Sequence, residues 1–286
     1  MSAGRSGTPR SEARRAADRL GPILERKRCE NARRRRHLGL FDPRGVADPI
    51  DRAEAARRAL RRPAGALPRV IAELKRRSPS AGTIRPFRPG EGRAIAGAYE
   101  AAGAAAVSVL CDGPGFGGSV LELRRVARAV RVPVLFKEFV LDELQLDLAR
   151  CAGASLVLLL VRALDDEALA ALVRGCRARG LEPLVEAADE AEVTRALETG
   201  ARVVGVNARD LVSFRVDPAR ARAALSKIPS SRVAVYMSGV TTPEELRQVA
   251  ATRADAVLIG SALMAAPDPG GHLAALRAGA GGEGAA

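Results

Sequence analysis

The sequence has no tryptophan, two tyrosines and six phenylalanines, so aromatics make up only 3% of its 286 residues. Any core must therefore be assembled from Ala, Val, Leu and Ile. Lysine is as scarce. Of 46 Lys and Arg residues only four are Lys, at 27, 75, 137 and 227. Long apolar runs are missing too. The longest, SLVLLLV at 155–161, holds six such residues after Ser155, where a membrane-spanning helix needs ~20. No apolar N-terminal segment precedes a small-residue cleavage site, so no signal peptide is expected and the location expected is cytoplasmic. The four cysteines, Cys29, Cys111, Cys151 and Cys176, show neither metal-type spacing nor a disulfide framework. They read as free thiols, and no metal site is expected.

Charge is unevenly distributed. Residues 1–70 hold 19 Lys/Arg and 8 Asp/Glu, a net of +11, which leaves +2 of the total +13 for the rest. A run such as RRRR at 33–36 can attract nucleic-acid phosphates. It also suits a solvated helix face, and the sparse aromatics and lack of a nucleic-acid-binding motif favour that reading. Residues 1–10 are expected to be disordered, and 11–65 to form a basic helical extension that caps the main domain. Within it, helices are expected over 11–37, with Leu20, Ile23 and Leu24 as an apolar stripe, and over 50–61. FDPRGVADP at 41–49 reads as a loop between them.

From residue 66 the texture changes. Eight short apolar runs begin at 69, 105, 132, 155, 182, 202, 232 and 255, each followed by a turn and a helical pattern. Their spacing is close to that of a βα unit, ~30 residues. The runs are continuously apolar rather than alternating, as parallel strands buried on both faces must be. Gly-Ala pairs at 103–104, 153–154 and 200–201 stand at helix ends just before a strand. The expected fold is an α/β (β/α)8 TIM barrel over 66–278, with a flexible Gly/Ala tail at 279–286. A doubly wound open sheet is the alternative, but no G-x-G-x-x-G turn follows the first strand.

Barrels of this kind carry their chemistry at the C-terminal ends of the strands. There the sequence places Glu73 and Lys75, Lys137, Glu186, Asn207, Ser238-Gly239 and Gly260-Ser261. The i, i+2 spacing of Glu73 and Lys75 puts them on one side of the strand. Two of the four lysines and one of two asparagines thus fall at strand ends. A Lys can release a proton where an Arg cannot, so this placement points to proton transfer. A structural Lys–Glu network is the bland alternative. Glycines in the loops after strands seven and eight suit a phosphate, and equally suit tight turns.

The motifs IAELKRRSPSAGTI, FGGS (116–119), PVLFKEFVLDELQL, AGASLVLLLV, EPLVEAADEAEV, VVGVNARDL and SGVTTPEEL…ADAVLIGSALMAAPDP run in order over residues 70–269. Together they resemble the indole-3-glycerol phosphate synthase family of tryptophan biosynthesis. The resemblance implies a cofactor-free, decarboxylating ring closure on a carboxyphenylamino sugar phosphate. It implies Lys137 as general acid and Glu186 as its partner carboxylate. Glu73 would sit at the anilino nitrogen, and Lys75 would pair with anionic groups and serve the dehydration. Asn207 and Arg209 would orient the sugar. Ser78, Ser238, Gly239, Gly260 and Ser261 would hold the phosphate, with Phe116 also in the binding site. As partners it implies a small phosphorylated substrate and neither membrane nor nucleic acid. It is compatible with a monomer or weak oligomer, and with association with other enzymes of the pathway. Three departures stand out. Met237 replaces the usual Glu, Glu138 stands where Asp is usual, and Ala187-Ala188 follow Glu186 where a polar side chain is more typical. Met237 leaves open a divergent barrel of weak or altered activity, and the basic N-terminus leaves open a nucleic-acid-binding protein.

Overall fold

A computed structural model describes residues 20–37, 52–78, 82–88, 90–210 and 215–282. The expected disordered stretch 1–10 and the loop 41–49 lie outside the described residues, as do 11–19 of the first expected helix.

Eight parallel strands close into one barrel, in chain order: β1 (Arg69–Leu74), β2 (Ala106–Leu110), β3 (Val134–Lys137), β4 (Leu156–Leu160), β5 (Glu182–Ala187), β6 (Val203–Asn207), β7 (Val233–Met237) and β8 (Ala256–Ile259). β8 returns to β1 with Ile71 opposite Leu258, so no sheet edge is left open. The apolar runs were continuous because both faces are buried. Ile71, Ala106, Leu135, Leu156, Leu158, Leu184, Val203, Val235 and Leu258 fill the barrel interior. Val70, Ala72, Val107, Val134, Phe136, Val157, Leu159 and Val204, one residue out of phase, pack outward under the helices.

Eight helices wrap the barrel: α3 (Gly92–Ala101), α4 (Val120–Ala127), α5 (Glu143–Ala152), α6 (Asp166–Ala178), α7 (Glu190–Glu198), α8 (Pro218–Ser226), α9 (Pro243–Ala250) and α10 (Pro269–Gly281). Side chains of Ser119, Asp142, Asp165, Asp189, Asp217, Thr242 and Asp268 cap the N-termini of α4 to α10. At the Gly-Ala pairs, the Ala104 and Ala154 N–H groups reach back to Tyr99 and Ala149 and close α3 and α5.

Among the described residues two helices precede the barrel, α1 (Leu20–His37) and α2 (Arg52–Leu60). α2 covers the N-terminal end of the barrel, where its Ala56 and Leu60 are wholly buried and join the interior. The face that α1 buries differs from the expected stripe. Leu24 is buried, Leu20 and Ile23 are only half-buried, and the remaining buried positions are Lys27 and Asn31. At the other end the expected tail needs correction. α10 continues to Gly281 and buries Ala280, so 279–281 are helical and only 283–286 lie outside the described residues. Gly279 and Gly281 are poor helix formers, and packing of Ala280 against the core overrides their weak propensity. Among the described residues no helix is long and apolar enough to cross a membrane.

Candidate active site

The period-2 alternation that fills the barrel interior continues upward into its mouth. One step beyond Ile71, Leu135, Leu184 and Val203–Gly205, the inward positions belong to Glu73, Lys137, Glu186 and Asn207. The same strands that bury leucines thus deliver charged groups to one ring. Lys137 Nζ lies 3.6 Å from Glu186 Oε2 and 3.9 Å from Glu73 Oε2, bridging carboxylates from β5 and β1. Lys75, one residue past β1, holds the other Glu73 oxygen at 3.0 Å. Asn207 Nδ2 donates to Glu186 Oε1 at 2.9 Å, and its own Oδ1 accepts the Arg209 N–H at 3.0 Å. Ser108 Oγ donates to Glu73 Oε2 at 3.4 Å.

Glu73 is 3% exposed. Burial works to raise its pKa, but Lys75 and Lys137, aided by the Lys75 and Ser108 hydrogen bonds, outweigh it and hold the carboxyl below its ordinary value. Glu73 is therefore an ionised acceptor at neutral pH. Its room is made by Gly260 at the end of β8. A Cβ there would lie 2.5 Å from Glu73 Oε1.

These groups stand over a cavity of about 380 Å³. All twelve residues expected at the site line it: Glu73, Lys75, Ser78, Phe116, Lys137, Glu186, Asn207, Arg209, Ser238, Gly239, Gly260 and Ser261. Because β7, β8 and β1 are neighbours, Ser238-Gly239, Gly260-Ser261 and Ser78 form one continuous arc of small and hydroxyl groups. On the β2–β4 side the wall is apolar: Phe116, Phe139, Leu110 and Leu160, with the two phenylalanine rings 6.1 Å apart. The cavity is therefore polar at one end, apolar along one side and charged at its floor.

The turn after β7 carries backbone strain. Ser238 has φ +71°, alone among described non-glycine residues in the left-handed region, and Gly239 follows at +87°. Strain of this sort persists where surrounding structure demands it and clusters at binding sites. Sequence alone could not show it. The N-terminus of α9 is closed by its own capping box. Thr242 Oγ1 accepts the Glu245 N–H, and Glu245 Oε2 accepts those of Thr241 and Thr242. Those donors are spent within the helix.

The departures from the family pattern also find places. Met237 is 1% exposed, packs toward Gly205 and does not line the cavity. Ala187 and Ala188 are buried. Glu138 turns to Lys27 of α1 at 3.1 Å. The cavity residues not anticipated include Phe139, Glu138 as a wall residue, Leu110 and Leu160, and Lys27 stands behind them unanticipated as well. The rarity of lysine was the signal that could have found the last.

The family model for indole-3-glycerol phosphate synthase matches residues 23–276. The chain is 40% identical to the indole-3-glycerol phosphate synthase of Streptomyces griseus subsp. griseus over 87% of its own length and 91% of that protein. It is 47% identical to indole-3-glycerol phosphate synthase 2 of Streptomyces coelicolor over 74% and 80% of the two chains. Among solved structures, thiamine phosphate pyrophosphorylase from Pyrococcus furiosus superposes with TM-score 0.56 at 18% identity, over 74% of this chain and 95% of that one. The 3-hexulose-6-phosphate synthase of Salmonella typhimurium gives 0.56 at 16%, over 74% and 98%. Those two likenesses are of fold. The sequence matches carry more, since they span nearly the whole described chain and every motif at the mouth: the chain belongs to the indole-3-glycerol phosphate synthase family, the carboxy-lyases of tryptophan biosynthesis.

Proposed function

We propose that the ring closure of 1-(2-carboxyphenylamino)-1-deoxy-D-ribulose 5-phosphate is run from Lys137 by proton transfer. The observation that supports this most is the Lys137 ammonium bridging Glu73 and Glu186 at the cavity floor, 3.9 and 3.6 Å away. The ammonium gives a proton to the ketone oxygen as the ring carbon bearing the carboxylate attacks the ketone carbon. The C–C bond to the carboxylate then breaks, carbon dioxide leaves, and its electron pair restores the aromatic ring. The new hydroxyl departs as water after a second protonation, while the carbon next to the nitrogen loses a proton. Glu186, oriented by Asn207, takes part in these later transfers. Glu73, held ionised, offsets positive charge developing at the anilino nitrogen. Lys75 pairs with the substrate's anionic groups and serves the dehydration. Proton transfer from a positioned group contributes ~100- to 10,000-fold in rate. An Arg at 137 would supply charge but no proton.

The rest of the cavity divides the substrate's parts. The arc of Ser78, Ser238, Gly239, Gly260 and Ser261 takes the phosphate, Arg209 and Asn207 orient the sugar, and the aromatic ring lies along Phe116 and Phe139. The test is turnover by the purified chain, followed by the fluorescence of the indole product. Wild type is expected to form product. Lys137→Ala is expected to lose at least ~100-fold in kcat while still binding the product's phosphate end in calorimetry. A wild-type chain that binds this substrate without turning it over would refute the proposal and favour a divergent activity.

A further inference from the structure

Away from the mouth, buried charge is densest where α1 meets the barrel. Lys27 is 1% exposed. Its ammonium lies 2.8 Å from Glu30 Oε2, 3.1 Å from Glu138 Oε2 and 3.2 Å from Asp112 Oδ1. Arg26 donates to the same Asp112 oxygen at 2.8 Å. The other Asp112 oxygen accepts the Gly115 N–H and caps the one-turn helix Gly113–Phe116. The other Glu138 oxygen accepts the Phe139 N–H at 2.8 Å. One turn further along α1, Asn31 donates to Gln145 Oε1, which also accepts the Leu141 N–H, while Gln145 Nε2 donates to the Phe139 carbonyl.

A buried ionic cluster is poor evidence of stabilisation, because apolar residues of the same volume often do as well. Its position is more informative. Apart from the Glu30 pair within α1, the Lys27 contacts end on segments that supply cavity wall. The Asp112 cap carries Phe116, and Glu138 stands between Lys137 and Phe139. The Lys137 ammonium itself is oriented by Glu73 and Glu186, from strands that α1 does not hold. We propose that Lys27 is a positioning residue for substrate binding: its ammonium ties the end of β2 to the end of β3 and so fixes the Phe116–Phe139 wall. The proposal rests on the substrate ring lying along that wall. The N-terminal helix is thereby a part of the site rather than only a basic surface.

The geometry separates KM from kcat. Lys27→Met is expected to raise KM by ~10-fold while kcat stays within ~3-fold, since uniform binding is lost and the proposed acid is untouched. It also leaves Glu138 buried without its cation, while Asp112 keeps Arg26, and so lowers stability. The double variant Lys27→Met/Glu138→Gln removes that charge. Its melting temperature is expected to recover while KM stays raised, because the tie is still missing. A purely structural role predicts that both recover together, and that result would overturn the proposal. If Lys27→Met alone does not fold, the double variant carries the test. A second readout needs no substrate. Hydrogen exchange of the Gly115, Phe139 and Leu141 amides in the double variant is expected to quicken by ~10-fold relative to those of β7 and β8. Unchanged exchange at these three would refute the tie whatever the kinetics show. If wild type itself fails to turn over, the ring-closure reading fails while the exchange result still decides the role of Lys27.

Discussion

The two ends of the barrel solve one problem, a buried carboxylate, with different cations. At the mouth, Glu73 and Glu186 face Lys75 and Lys137. At the closed end, Glu182 pairs with Arg57 of α2, and Asp255 with Arg253 at 2.8 Å and Arg61 at 3.6 Å. Arg61 also binds the carbonyls of Ser230 and Arg232. The arginines use several donors in fixed directions to lash α2 across the barrel end, which suits a planar fork. The lysines offer a compact charge with an exchangeable proton. In a chain so rich in Arg, Lys75 and Lys137 stand at the mouth and Lys27 behind it. Lys227 departs from this pattern, in an exposed pair with Glu190.

The two ends differ in electrostatic sign as well. Burial raises both Glu73 and Glu182. At Glu73 the lysines outweigh it and the pKa ends below the ordinary value of 4.5. At Glu182 burial prevails over Arg57 and the pKa ends above it. One Glu182 oxygen is also buried without a hydrogen-bond partner.

The contrast between the ends can be probed first at the mouth, where substitution should cost most. Gly260→Ala puts a Cβ against Glu73 Oε1, and a displacement of that size should cost ~100-fold in kcat. The fold should survive, read as an unchanged circular dichroism spectrum with lost turnover. Next comes pH. A carboxyl with a lowered folded pKa contributes stability that is lost as pH falls from the unfolded value of 4.5 through the folded one. Glu73→Gln should therefore flatten the fall in melting temperature below that pH. Glu182 acts oppositely, its raised pKa adding stability on acidification, so Glu182→Gln should steepen the fall. The last and mildest difference is chemical. Burial raises the Cys176 thiol to about 12 and pushes Cys111 up as well, whereas Cys29 is exposed. A thiol reagent should label Cys29 in the native state and reach Cys111 and Cys176 only on unfolding.

Much of this was legible in the sequence, for physical reasons that also mark where legibility stops. Strands buried on both faces write themselves as unbroken apolar runs, so Ile71, Leu158 and Val235 announced the barrel. Its topology then forced the polar residue ending each run into one ring. The docking of α1 was not legible, because Lys27 and Asn31 are polar and leave no apolar period, and their partners Asp112, Glu138 and Gln145 are remote in sequence. The strained φ of Ser238 is a backbone property with no side-chain signature. The capping box at Thr242 and Glu245 has a T-x-x-E signature, but which N–H donors it spends shows only in the hydrogen bonds. Ala280 stays helical because the core covers it, a tertiary effect that composition hides.

The proton release proposed at the mouth and the fixed geometry at the closed end can be set against each other by a reciprocal exchange of cations. Turnover and melting temperature would be measured for Lys137→Arg and Arg57→Lys. Lys137→Arg is expected to keep its melting temperature and lose at least ~100-fold in kcat, and Arg57→Lys to melt lower with kcat intact. Near-wild-type turnover in Lys137→Arg would contradict a proton-donating role for Lys137, since positive charge alone would then suffice.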